Sequence, residues 1–256
     1  MAGLARRLEC WLLPPRCVLC LAPGSTVRTP LAWQGGAEAL LDLCAACHTE
    51  LPWMPVPAMH GPGGVPAGVT LAYAPLRYAW PVAPLVHALK YRGERLYGRL
   101  LATTLAEAAG RHRVPLPECW VPVPLHRERE RQRGFNQSAD LTARLARETG
   151  APVSPALRRL RNTPAQAGLT AMERRVNLQG AFALDERWRR RVAQRHVALI
   201  DDVYTTGSTA AACAAVLRAA GARRVDFWAV ASMQQCGVLR FGTVCGEPSW
   251  IVTDQS

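Results

Sequence analysis

Two adjacent carboxylates, Asp201 and Asp202, are followed at once by Thr205, Thr206, Gly207, Ser208 and Thr209. Four hydroxyl side chains around a glycine suit a phosphate. Gly207 lets the backbone approach closely, and a helix starting there adds free N–H groups and a positive dipole end. A carboxylate pair beside such a cradle would repel the phosphate itself. It suits sugar hydroxyls, directly or through a divalent metal. The set asks for a phosphate at one end and a polyol at the other, as in a ribose 5-phosphate.

A second cluster is metal chemistry. Cys17 and Cys20, then Cys44 and Cys47, form two Cys-x-x-Cys knuckles separated by 23 residues. Four thiolates converging on one ion match a tetrahedral zinc with bonds of about 2.3 Å and no open position, hence a structural role. The other five cysteines of the chain are Cys10, Cys119, Cys213, Cys236 and Cys245. Nine cysteines in a chain read as intracellular do not indicate a disulfide framework. His48 adjoins the fourth cysteine but is not expected to be a ligand.

The elements that must position these groups are readable. Val197–Ile200 is a short apolar run of the buried parallel-strand kind, so the acid pair stands at a strand's C-terminal end, where open α/β sheets bind ligands. A helix over about Ser208–Ala220, closed by Gly221, and a second strand at Val225–Ala231 complete a βαβ unit. Upstream, Trp120–Pro124 reads as a strand ended by proline. Leu125–Arg133 interleaves Arg127, Arg129, Arg131 and Arg133 with Glu128 and Glu130, and Gly134–Ser138 opens a helix reaching about Glu148. Helices are also expected over about 80–90 and 95–110, with Lys90 between them. Residues 162–177 read as a long polar loop, which in a compact domain is usually functional.

Val-Ala-Leu-Ile-Asp-Asp-Val-Tyr-Thr-Thr-Gly-Ser-Thr, residues 197–209, resembles the phosphoribosyl-pyrophosphate (PRPP) motif of type I phosphoribosyltransferases. Together with Val121-Pro-Val-Pro-Leu125, Arg133-Gly-Phe-Asn-Gln-Ser138, the 162–182 segment and the cysteine pairs, it is similar to the ComF family of competence-associated, phosphoribosyltransferase-like bacterial proteins. The resemblance implies a type I phosphoribosyltransferase-like parallel sheet flanked by helices, with a small N-terminal four-cysteine zinc ribbon. It implies catalytic Asp201 and Asp202 on the ribose hydroxyls. Val203, Thr205, Thr206, Gly207, Ser208 and Thr209 would complete the PRPP site, with Mg²⁺ accompanying the ligand. It further implies Arg127 and Arg131 toward pyrophosphate and Arg174 or Arg175 in a lid; a solvated helix face remains an equal reading of the 127–133 run. Lys90 is either a contact from the hood over the site or part of a surface turn.

Boundaries follow from composition. Residues 1–60 are expected to form the zinc module, and 61–233 the phosphoribosyltransferase-like domain with its hood at about 68–115. Residues 234–256 are expected to be an irregular tail, since Gly237, Gly242, Gly246 and Pro248 interrupt any regular element. The Pro/Gly-rich stretch from Pro52 to Gly68 reads as a linker.

The chain has 256 residues and a formal charge of +12. At 49% hydrophobic and 20% charged, it is not a disordered chain. No apolar run is long enough for a membrane span, and a soluble, cytoplasmic protein is expected. Every basic side chain except Lys90 is arginine, and residues 61–195 carry the whole positive excess. That field favours a polyanion. Two functions follow: transfer of ribose 5-phosphate from PRPP to a nitrogenous base, or a non-catalytic role in DNA uptake, binding single-stranded DNA and other uptake proteins.

Overall fold

The computed structural model describes residues 16–28, 38–55, 65–162, 178, 180–233, 238–244 and 247–253. Arg174 and Arg175 lie outside these residues. The described elements run β1 (Ser25–Arg28), β2 (Glu38–Leu41), α1 (Ala45–Thr49), β3 (Leu71–Tyr73), β4 (Leu76–Arg77), α2 (Val82–Arg92) and α3 (Arg95–Arg111). They continue with β5 (Cys119–Pro122), α4 (Arg127–Arg133), α5 (Gln137–Thr149), β6 (Leu157–Arg159), β7 (Phe182–Leu184) and α6 (Arg189–Val192). The last are β8 (His196–Tyr204), α7 (Ser208–Ala219), β9 (Arg224–Ser232), β10 (Val238–Val244) and β11 (Glu247–Thr253).

The main sheet is parallel, in the order β3–β9–β8–β5, with β4 also pairing β9. Its two central strands are apolar on both faces, as strands covered on both sides must be. Ala198, Ile200, Trp228 and Val230 join the core under α2, α3 and α5. Val197, Leu199, Phe227 and Ala229 join the core under α7 and the β6–β7 hairpin. Trp228 is the keystone of the first core, with ring centroids 5.0 Å from Trp120 and 5.1 Å from Tyr73.

Two elements differ from the sequence reading. β8 runs nine residues rather than four, because β9 continues to pair it through Val203↔Ala231 and Tyr204↔Ser232. The acid pair is therefore held inside an extended strand end. The tail is not irregular: β10 and β11 form an antiparallel hairpin in register from Val238↔Thr253 to Val244↔Glu247. Val238, Phe241, Thr243, Val244, Trp250, Ile251, Val252 and Thr253 supply enough strand preference to carry Gly242 and Pro248, and a two-strand ladder has open edges where proline is tolerated.

The cysteine module does not stand apart from α2 and α3. Cys17, Leu41, Leu43 and Leu51 are buried in the same core as α2 and α3. Three contacts fasten it to α3. Arg99 grips Asp42 with two nitrogens at 2.7–3.0 Å, His48 meets Glu107 at 2.7 Å, and Arg111 lies 5.0 Å over the Trp53 ring.

Candidate functional site

β8 delivers Asp201 and Asp202 to the C-terminal end of the sheet, and their carboxylates are tied down locally. Asp201 Oδ1 accepts from the Ser138 hydroxyl at 2.8 Å and from the Asp202 amide at 2.9 Å. Asp202 Oδ1 accepts from the Val203 amide at 2.8 Å. Its Oδ2 faces the Lys90 ammonium at 2.7 Å. Asp202 is 3% exposed and Asp201 half-buried. Burial pushes the Asp201 carboxyl upward, opposed by Lys90, by donation from Ser138, and by Arg159 and Arg133.

The residues holding this pair come from three other elements. Lys90 is in the last turn of α2, which Gly93 closes at φ +66°. Burial lowers its ammonium, while Asp201 opposes that shift. Ser138 lies in the first turn of α5. That turn is fixed by Asn136, whose side chain accepts from the amides of Ser138 and Ala139 and donates to Val123 O at the end of β5. Arg133 ends α4, donates to Gln137 Oε1 at 2.5 Å and lies 5.2 Å over the Tyr91 ring. Arg159, in β6, lies 5.4 Å from the Phe182 ring centroid. The sequence reading missed Ser138, Arg133 and Arg159 as individuals. For the first two a signal existed: Gly134 and Asn136 mark the break that aims both at the strand end.

After β8 the chain turns through Thr205, Thr206 and Gly207 into α7. Gly207 has φ +74°, and a Cβ there would sit 2.6 Å from Pro66 Cγ and 2.8 Å from the Tyr204 hydroxyl. Only glycine fits. Ala211 N makes the first helical bond, to Gly207 O at 2.8 Å. No side chain caps the helix, so its first amides are available to a ligand. Thr206 and Ser208 hydroxyls meet at 3.0 Å, and Val203, Thr205 and Thr209 are half-buried. The structure thus brings Asp201, Asp202 and residues 203–209 together and adds Lys90 to them. Arg127 and Arg131 are exposed on α4, whereas Arg129 and Arg133, one turn apart, are half-buried.

The four cysteine sulfurs lie within 4.8 Å of one another, and Cys20 and Cys44 sulfurs are 3.6 Å apart. A tetrahedron with 2.3 Å bonds has edges of about 3.8 Å, so this donor set fits a zinc ion. Burial would raise the Cys17 thiol, yet donation from the amides of Cys44, Cys20 and Leu19 brings it down to about 6. His48 is turned away onto Glu107. Burial would raise the Glu107 carboxyl, but His48 and Arg111 outweigh it and hold it below its usual range.

No family model matches the chain. Curated proteins do. Competence protein F of Haemophilus influenzae is 35% identical over 159 residues, 60% of this chain and 69% of that protein. DNA utilization protein YhgH of Escherichia coli K12 is 35% identical over 233 residues, 84% of this chain and 96% of that protein. The chain belongs to the competence protein F (ComF) family. A Salmonella typhi YhgH is 40% identical over 156 residues, 59% of this chain and 67% of its own length. Among solved structures, the glutamine PRPP amidotransferase of B. subtilis overlaps 51% of this ComF-family chain and 24% of its own, at 20% identity and a TM-score of 0.32.

This ComF-family chain has a second charged feature beside the acid pair. A cleft of about 830 Å³ opens between α4, β6 and α6. Arg127, Arg158, Arg159, Arg187 and Arg191 line it against only Glu130 and Asp185, and Trp188 adds an aromatic wall. Donation from Arg187 holds the Asp185 carboxyl down at about 2, leaving the cleft a net cation.

Proposed function

We propose that the chain binds PRPP between the acid pair and the N-terminus of α7. One observation carries this reading: a carboxylate pair fixed at the end of β8 stands one tight glycine turn away from uncapped helix amides. The amides, with the hydroxyls of Thr205, Thr206, Ser208 and Thr209, would take the 5-phosphate. Asp201 and Asp202 would accept from the ribose 2- and 3-hydroxyls. Asp202 already has an ammonium on Oδ2, so these carboxylates suit hydroxyls better than direct metal ligation; Mg²⁺ would arrive on the pyrophosphate of the ligand. If a base is also bound, the reaction is ribose 5-phosphate transfer. Pyrophosphate leaves C1 as positive charge develops on the ring, and fixed carboxylates beside that ring with cations beside the leaving anion favour it electrostatically. Zinc on Cys17, Cys20, Cys44 and Cys47 would be structural. Among the described residues, no helix is long and apolar enough to cross a membrane. PRPP with Mg²⁺ should raise the melting temperature, and Asp201→Asn with Asp202→Asn should remove the shift. No shift at millimolar PRPP would sink the site. Pyrophosphate release with a panel of bases then tests transfer.

The arginine cleft favours a second, compatible reading: a single-stranded DNA path, with phosphates on guanidinium groups and a base on Trp188. Relatives named for competence and DNA utilization support it. Affinity should fall steeply with salt and drop on Arg158→Glu with Arg191→Glu. Binding that is flat with salt would remove it.

A further inference from the structure

Lys90 is the chain's single lysine among 31 basic residues. It is also in direct contact with the acid pair, its side chain 20% exposed against 4% for Asp202. A surface position would accept arginine, as every other basic position here has done. A slot against a buried carboxylate is different, because an ammonium is compact and a guanidinium is a broad planar fork. Nor does stability explain the pair. Burying two charges costs desolvation that their attraction barely offsets.

The local charge balance shows a use. Asp201 and Asp202 bring two negative charges, while Lys90, Arg133 and Arg159 surround Asp201 with three positive ones. A neutral polyol on the carboxylates would leave that cationic surplus in place. The geometry gives it a direction. Lys90 holds the buried Oδ2 of Asp202 while 20% of its own side chain stays exposed, so its ammonium lies beside whatever the acid pair binds. We propose that Lys90 is a ligand-contacting residue of this site: it pairs with Asp202 in the free protein, and in the complex it donates to the pyrophosphate group carried on the ribose. The ligand's identity rests on the PRPP reading; the anion contact does not.

A single lysine makes the test direct. Reductive methylation with ¹³C-formaldehyde keeps the charge and gives one side-chain dimethylamine signal, which Lys90→Met deletes. Inorganic pyrophosphate, and separately PRPP with Mg²⁺, should move that signal. By calorimetry, Lys90→Met should weaken both ligands about 10- to 100-fold, the value of one charged hydrogen bond, and Lys90→Arg should recover part of the loss. If PRPP binds while neither the signal nor the affinity responds to Lys90, the inference is overturned and the PRPP site stands. If pyrophosphate moves the signal but PRPP does not bind, Lys90 stands and the PRPP reading falls. If neither ligand binds, both fall. A lower melting temperature for Lys90→Met with unchanged affinities marks a structural lysine and also overturns the inference.

Discussion

Burial of Asp201 is opposed but not cancelled by its partners. Its carboxyl is raised by burial against three cations and a hydroxyl donor. The folded state therefore holds this proton more tightly than the unfolded chain, and between the unfolded value near 3.8 and the raised folded value it binds more protons. Stability falls with rising pH across that window and stays lower above it. Asp201→Asn should thus raise the melting temperature at pH 7, by about 2–4 °C for each kcal/mol recovered. The gain should shrink to nothing below about pH 3.8, while PRPP binding is lost at every pH. A variant less stable than the parent at pH 7 would show that Lys90 and Ser138 outweigh burial. Gly207 makes the opposite trade. Gly207→Ala forces a side chain onto φ +74° and into Pro66 and the Tyr204 hydroxyl, a cost of about 1–3 kcal/mol. Chemical denaturation should show that loss, and PRPP affinity should fall with it, because the cradle between Thr206 and Ser208 must open.

At the scale of elements, what the sequence could disclose was set by how local the information is. Strand, acid pair, hydroxyl turn and helix occupy one continuous stretch, so their order already contains the geometry. The helix Ser208–Ala219 and its Gly221 stop were legible for that reason. The arginine run was not. Helical spacing makes two stripes, Arg127 with Arg131 and Arg129 with Arg133, and nothing local says which faces inward; the packing of α4 against Tyr91 and Gln137 decides it. Lys90 and Asp202 are brought together only by the fold, as are Ser138 and Asp201. The junction from β5 to α5 is the element that aims these partners, and Asn136 is its pin. Asn136→Ala should cost about 0.5–2 kcal/mol as a lost cap. It should also weaken PRPP binding without touching the ligand, since Ser138 would lose its aim at Asp201. Unchanged affinity in a destabilised Asn136→Ala protein would confine Asn136 to capping.

Across the whole molecule, the cysteine module and the acid pair are joined by one unbroken path of packed elements. Cys44 caps α1, with its sulfur accepting from the Cys47 amide at 3.5 Å. His48, on that same helix, pairs with Glu107 of α3, and Asp42, just before it, holds Arg99 of α3. Next to α3 in the shared core lies α2, whose last turn presents Lys90 to Asp202. A metal held by the four thiolates at one end would therefore bear on α2 and α3 at the other. Stripping zinc with a chelator at neutral pH should lower the melting temperature by several degrees, because metal-binding energy in such modules is folding energy. It should also weaken PRPP, although the four clustered cysteines lie at the far end of this path from the acid pair. A Cys20→Ser with Cys47→Ser protein should show the same two losses, without recovery on added zinc. Glu107→Gln separates clamp from metal: zinc content should stay near one per chain while PRPP affinity drops. Zinc removal that left PRPP affinity intact would mean that α3 holds Lys90 in place unaided, and that the module serves another face of the molecule.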